Sequence, residues 1–89
     1  MSEMSEEQKN SGLFVNLVQQ FYQSALIYLG KIENPHTKKI EKNIELARYF
    51  IDSLDMLNAK TKGNLSTEEE QVLQKILQEL KMEFIKGNN

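Results

Sequence analysis

Three stretches of the chain repeat apolar residues at the 3.6-residue spacing of an α-helix. The second and third stretches each form one stripe: Ile44, Ala47, Phe50, Ile51, Leu54 and Leu57, then Val72, Leu73, Ile76, Leu77, Leu80 and Phe84. The first stretch, Leu13 to Leu29, confines its polar side to Asn16, Gln19, Gln20 and Gln23. An ordinary surface helix has an apolar arc of roughly 100° or a little more. The wider arc predicts that the first helix is covered on two sides.

Capping residues predict where these helices begin and end. Ser11 and Asn43 are suitable N-caps for the first two helices, and either Ser66 or Thr67 forms a capping box with the glutamates that follow. Glycines suit the C-terminal ends. We therefore expect helices over about 12–29, 43–62 and 67–86. Residues 1–10 are polar, acidic and without periodicity, which predicts a disordered acidic tail before a single helical domain over residues 11–86.

The connections predict how the helices pack. A very short turn at Gly63 and Asn64 favours an antiparallel hairpin of the second and third helices. The main connection covers residues 31–42, where Pro35 disfavours helix at Asn34. No strand pattern competes, so we expect an all-α, three-helix antiparallel bundle with the first helix packed on the hairpin.

The small size of the chain and the wide apolar arc of the first helix together suggest self-association. A chain of 89 residues without cysteine has no disulfide to support it, and a domain of this size buries only about 60% of its unfolded surface. We expect a homo-oligomer, with a dimer favoured, that acts as a helical interaction or scaffold module. The expected interface residues lie on the first helix: Phe14, Leu17, Phe21, Leu26 and Tyr28. The alternative is that the three helices of one subunit cover this arc by themselves.

The balance of charge makes nucleic-acid binding unlikely. The formal net charge is −2, whereas phosphate neutralisation normally requires a basic excess. The most apolar stretch is interrupted by amides and is no membrane span, and the acidic start differs from a signal peptide, so we expect a cytoplasmic protein.

A cluster of basic residues nevertheless leaves a second hypothesis, a nucleic-acid- or ribosome-associated accessory protein. The cluster consists of Lys31, His36, Lys38, Lys39 and Lys42. Aromatic side chains are not interleaved with it, as base stacking would require.

Catalytic and metal-binding patterns are not recognisable. His36 is the single histidine and stands beside Pro35 in a predicted exposed loop, with no partners for a catalytic triad. Asp52 and Asp55 lie opposite the apolar stripe of their helix, unlike the inward pairs of metal-binding bundles. We therefore expect no enzyme, no metal and no cofactor.

From Ala25 onward the chain resembles a small bacterial family known as domain of unknown function 1844. The resemblance lies in Ala25–Gly30, Asn34-Pro35, Asn43–Arg48, Ile51-Asp52, Met56-Leu57, the turn Lys60–Ser66 and Glu68–Glu70. It covers about two thirds of the chain, and Lys60–Leu65 is its most specific element. Thr67 stands where members tend to have proline, and residues 34–38 lack the glycine of the family's first loop. The resemblance supports the helix boundaries and implies no activity, catalytic residue or cofactor.

Overall fold

The computed structural model describes residues 5–87 and contains three helices over this range. These are α1 (Glu6–Tyr28), α2 (Ile44–Lys60) and α3 (Thr67–Gly87). The described residues form no strand beyond an isolated bridge between Asn34 and Lys39. The prediction of an all-α, three-helix bundle is confirmed.

The α1 helix runs antiparallel to α2. The N–H of Asn43, the N-cap of α2, donates to the carbonyl of Tyr28 at 2.8 Å. The start of α2 is thereby fixed beside the end of α1. Further along the pair, the rings of Phe21 and Phe50 meet edge to face with centroids 5.9 Å apart. The two helices therefore share a long seam.

The α3 helix runs antiparallel to α2 and parallel to α1. Lys81 contacts Asp55 near the middle of α2 at 2.9 Å, and Gln74 donates to Asn58 one turn later in α2 at 2.7 Å. Tyr22 of α1 donates to Glu79 of α3. The chain thus goes up, down and up, as the predicted hairpin requires.

The core lies where the three predicted stripes converge. Val18, Leu54, Leu73 and Leu80 are its largest fully buried side chains. Burial of each is worth about 1.5–3 kcal/mol. The remaining members of this core are Ala25, Leu29, Ala47, Ile51 and Leu77. The apolar spacing therefore predicts which side of α2 and of α3 faces inward, whereas the wide arc of α1 does not single out one side.

The first helix begins earlier than its apolar pattern indicates. The Ser5 hydroxyl accepts from the N–H of Gln8 at 3.1 Å, and the Gln8 side chain accepts from the N–H of Ser5 at 3.1 Å. Glu6 and Glu7 add negative charge at the positive end of the helix dipole. The prediction of a disordered tail over residues 1–10 is therefore wrong for residues 5–10, and residues 1–4 lie outside the described range.

The other helix ends fall within a few residues of the predicted positions. Gly30 follows α1 with φ +80°, and Gly63 follows α2 with φ +85°, both in the left-handed region that favours glycine. The capping box at α3 uses Ser66 and Glu69 rather than Thr67 and Glu70. These helix ends depend on residues close together in the sequence, which is why the sequence pattern predicts them.

Candidate functional site

One side of α1 faces away from the core, and we call its residues the outer stripe. They are Leu13, Leu17, Gln20, Ser24 and Ile27. At 100° per residue they lie roughly 100–180° around the helix from buried Val18. Leu13 is 59% exposed and Leu17 is 40% exposed. Leucine side chains this accessible on one helix are candidates for contact with another molecule.

Charge is missing from the whole length of α1 that carries this stripe. From Asn10 to Gly30 the sequence has no acidic or basic residue, and the exposed polar positions are amides such as Gln20 and Gln23. Charged residues are depleted in the centres of protein interfaces, because burying an unpaired charge is costly. The composition of α1 is therefore that of a contact surface.

The connection between α1 and α2 folds back over the end of the outer stripe. Ile27 points away from the core, yet only 8% of it is exposed. A cleft of about 310 Å³ opens beside it, lined on the α1 side by Gln20, Gln23, Ser24, Ile27 and Tyr28, and closed by Asn34, Pro35, His36 and Phe50. The stripe thus has exposed leucines at one end and a cleft at the other.

A compact turn closes this cleft. Asn34 donates its backbone N–H to the carbonyl of Lys39 at 2.9 Å, and its side-chain oxygen accepts from the N–H of His36 at 2.9 Å. Its amide group donates to Glu41 at 2.7 Å. Lys38 has φ +62°, a rare conformation for a residue with a side chain. With a fourth hydrogen bond, from the N–H of Lys38 to the carbonyl of Asn34 at 2.7 Å, this turn holds Pro35 and His36 beside α1.

Aromatic rings fill the seam between α1 and α2. Phe50 stacks on Tyr28 with an interplanar angle of 3°, and both Phe21 and Tyr49 meet it edge to face. Such pairs add about 0.5–1.5 kcal/mol beyond the area that they bury. Phe21 and Tyr28 are consequently structural members of the seam as well as neighbours of the outer stripe.

The five predicted interface residues do not share one surface. Leu17 belongs to the outer stripe, whereas Phe14, Phe21 and Tyr28 are half-buried against the core. Leu26 lies one turn after Tyr22, which bonds to α3, so Leu26 is on the α3 side. The structure therefore does not bring Leu26 together with Leu17.

Sequence reasoning left out several exposed apolar residues. These are Leu13 on α1 and Leu46 and Met56 on α2, whereas the position of exposed Tyr49 just outside the stripe of α2 already suggests an interface or rim contact. The signal that identifies Leu13 is its position one turn before Leu17, on the same side of the helix. Met56 is outside the stripe of α2, where a sequence pattern does not distinguish a surface residue from a contact residue.

The basic cluster divides into two parts. Lys31 forms an ion pair with Glu83 at 2.6 Å, and Lys42 donates to the carbonyl of Gly87 at 3.0 Å. The remaining members of the cluster, His36, Lys38 and Lys39, are exposed on the turn. Two of the five predicted contact residues are thus engaged with α3.

Three ionisable groups are perturbed by their contacts with neighbouring elements. The hydrogen bond to Glu79, aided by burial, raises the pKa of Tyr22 to about 12. The hydrogen bond from Lys31 lowers the pKa of Glu83. The backbone of Ser66 and the hydroxyl of Ser11 lower the pKa of Glu69. The pKa shifts of Tyr22 and Glu83 come from contacts with α3 partners or with the connection, whereas the shift of Glu69 comes first from the capping box of its own helix.

A second, smaller cleft of about 270 Å³ lies between α2 and α3. Ile51, Phe84 and Ile85 line it, with Arg48, Asp52, Asp55 and Lys81 around them. Arg48 stands over the ring of Phe84 at 5.5 Å, and Asp55 is paired with Lys81. Within residues 5–87, no three His, Asp or Glu side chains are grouped so as to hold a metal ion.

In the described part of the chain, no helix combines the length and the hydropathy needed to cross a membrane.

Comparison with known proteins gives a family and no activity. No curated protein matches the sequence, and no solved structure matches the chain. A family model described as a domain of unknown function (DUF1844) matches residues 12–86, nearly all of the bundle, and the chain therefore belongs to this family.

Proposed function

We propose that this protein is a small helical interaction module that works by pairing with a second copy of itself through α1. The observation that carries the proposal is the exposure of Leu13 and Leu17 on a helix without charge from Asn10 to Gly30. Water contact with these leucines is unfavourable by about 25 cal/mol per Å² of apolar area. A partner with a similar surface would remove these leucines from water without burying an unpaired charge.

The area of the proposed contact surface on α1 sets the affinity that we expect for the dimer. The stretch from Leu13 to Tyr28 spans about 22 Å at 1.5 Å per residue, and with α2 beside it the surface is about 20 Å wide. Its projected area of roughly 450 Å² is below the ~800 Å² per partner of a standard interface. We therefore expect a reversible dimer with a dissociation constant on the order of micromolar, near 8 kcal/mol of binding.

Sedimentation analysis over about 1–500 µM, a range that brackets micromolar affinity, tests the proposal. The wild type should shift from monomer to dimer. Replacing Leu13 and Leu17 together by glutamate should weaken pairing at least 100-fold, because two carboxylates would be buried without partners. Far-UV circular dichroism should stay helical, since both side chains are exposed.

A matched control comes from α3. Met82 is 57% exposed and Ile85 is 64% exposed, so replacing both by glutamate makes the same chemical change on another helix. This control should dimerise like the wild type. A wild type that stays monomeric throughout, or a control that alone becomes monomeric, would contradict the proposal.

The alternative, contact with nucleic acid through the basic cluster, has less support. Lys31 and Lys42 already interact with α3, which leaves Lys38 and Lys39 as exposed cations on one turn, beside the exposed His36. A gel shift that weakens with salt and disappears when Lys38 and Lys39 are replaced by alanine would favour this alternative. The absence of a shift at low salt would favour self-association.

A further inference from the structure

The order of residues along the outer stripe suggests how two copies would pair, an inference that rests on the proposed function. Leu13, Leu17, Gln20, Ser24 and Ile27 follow one another at spacings of four, three, four and three residues. This alternation is the seam spacing of a coiled coil. The large exposed side chains occupy one end of the seam, and the cleft beside Ile27 occupies the other.

We propose that α1 packs antiparallel against α1 of a second copy, with Leu13 of each copy inserted into the cleft of the other. A two-fold axis at Gln20 places Leu13 level with the partner's Ile27, beside the turn that covers it, and places Leu17 within one residue of the level of the partner's Ser24. The small serine leaves room for the leucine. Gln20 meets the partner's Gln20, where the two amides can hydrogen-bond across the axis and fix the register.

The cleft is large enough for this insertion. It measures about 310 Å³, roughly twice the ~150 Å³ of an engineered cavity that holds benzene. Its walls include Ile27, Tyr28 and Pro35, which offer apolar contact to a leucine side chain. A parallel pair would place Leu13 against the partner's Leu13 and leave both clefts empty. The antiparallel arrangement therefore removes more apolar surface from water.

Charge complementarity supports the same arrangement. Antiparallel packing brings the first turn of α1, which carries Glu6 and Glu7, to the partner's turn that carries His36, Lys38 and Lys39. Lys9 is the one cation in that part of α1, so the carboxylates outnumber it. A parallel pair would instead bring like-charged first turns together. Exposed pairs of this kind contribute little to affinity, and they mainly select the orientation of the two helices.

Single cysteines distinguish the arrangements, because the natural sequence has none. Gln20→Cys lies on the proposed axis and should form a disulfide-linked dimer on mild oxidation. Leu13→Cys should not, since antiparallel packing separates the two sulfurs by about 21 Å, which is 14 residues at 1.5 Å each. Gln78→Cys, exposed on α3, is the control for random collisions.

The outcomes separate this inference from the proposed function. A monomeric wild type in the sedimentation experiment overturns both. A dimer in which Gln20→Cys crosslinks no more than Gln78→Cys uses another surface, and a dimer in which Leu13→Cys crosslinks efficiently is parallel. Either result overturns the inference and leaves self-association intact.

Charge reversal gives an independent readout of orientation. Replacing Lys38 and Lys39 by glutamate should weaken the dimer about tenfold, because the symmetric dimer then loses two exposed charge contacts at each of its two ends. Adding Glu6→Lys and Glu7→Lys to the same chain should restore most of the loss, because both complementary contacts of the dimer are then reversed. Helicity measured by circular dichroism controls for the altered first turn. Without recovery of affinity in the fourfold variant, the antiparallel arrangement is rejected.

Discussion

The two ends of the outer stripe have opposite environments, although both are apolar. Ile27 near the C-terminal end of α1 is 8% exposed, because the chain's own connection covers it, while Leu13 near the other end is 59% exposed. A wide apolar arc on one helix therefore has two explanations in the same molecule. Part of it packs against a segment of the same subunit, and part of it remains in contact with water.

The path of the connection between α1 and α2 explains which part of the outer stripe it covers. The segment folds into a tight turn at Asn34 and returns to begin α2 beside Tyr28, where Asn43 bonds to the end of α1. It therefore passes over only the last turns of α1. Toward Leu13 the neighbouring chain is the end of α2 and the turn after it, where Thr61 and Gly63 line a cleft together with Ser11 and Phe14 of α1.

The largest expected loss of stability comes from shortening a side chain at the covered end of the outer stripe. Ile27→Ala should lower the free energy of unfolding by about 2 kcal/mol, through lost burial and a cavity beneath the connection. Leu13→Ala should change it by less than about 0.5 kcal/mol at concentrations where the chain is monomeric, because that side chain is mostly in water. Urea unfolding followed by circular dichroism measures both. Equal losses in the two variants would show that the ends do not differ.

The middle of α1 offers a smaller, pH-dependent test of its attachment to α3. Tyr22→Phe keeps the ring and removes the hydrogen bond to Glu79, which should cost about 1 kcal/mol at neutral pH. The folded state raises the pKa of Tyr22 from 10.0 to about 12. The stabilisation is therefore fully present below pH 10 and is lost as the pH rises to 12.

The difference between wild type and Tyr22→Phe should accordingly shrink across that alkaline range. Unfolding curves measured between pH 8 and pH 12 test this, with Tyr49→Phe as the control because Tyr49 is 62% exposed. A difference that stays constant up to pH 12 would show that the Tyr22 hydroxyl does not contribute in the proposed way.

The smallest expected effect concerns the uncovered end, where the capping box begins α1. Ser5→Ala should cost about 0.5–1 kcal/mol, the usual value of an N-cap. Amide hydrogen exchange at Gln8 and Lys9 should become faster. Ser11→Ala should leave those amides unchanged, since Ser11 lies inside the helix. Unchanged exchange at Gln8 in Ser5→Ala, together with faster exchange at Phe14 in Ser11→Ala, would place the start of α1 where the apolar pattern indicates.

Sequence reasoning predicted the bundle but not the surface that we propose for pairing. Buried Leu54, Leu73 and Leu80 lie on the predicted stripes, because a 3.6-residue period reports directly on helix orientation. The early start of α1 was also readable, since Ser5 and Gln8 have capping-box spacing. That signal was overlooked because no apolar period accompanies it. Leu26 was grouped with Leu17 because apolarity alone does not say which neighbour a side chain meets.

By itself the sequence determined the three helices, the inward sides of α2 and α3 and most of the helix ends, because caps and apolar periods act over a few residues. Only the tertiary structure decided that the connection covers Ile27, that Lys31 and Lys42 interact with α3, and that Leu13 and Leu17 stay exposed. These outcomes depend on contacts between segments far apart in the chain. Such contacts are fixed when the helices pack, and no local pattern of residues encodes them.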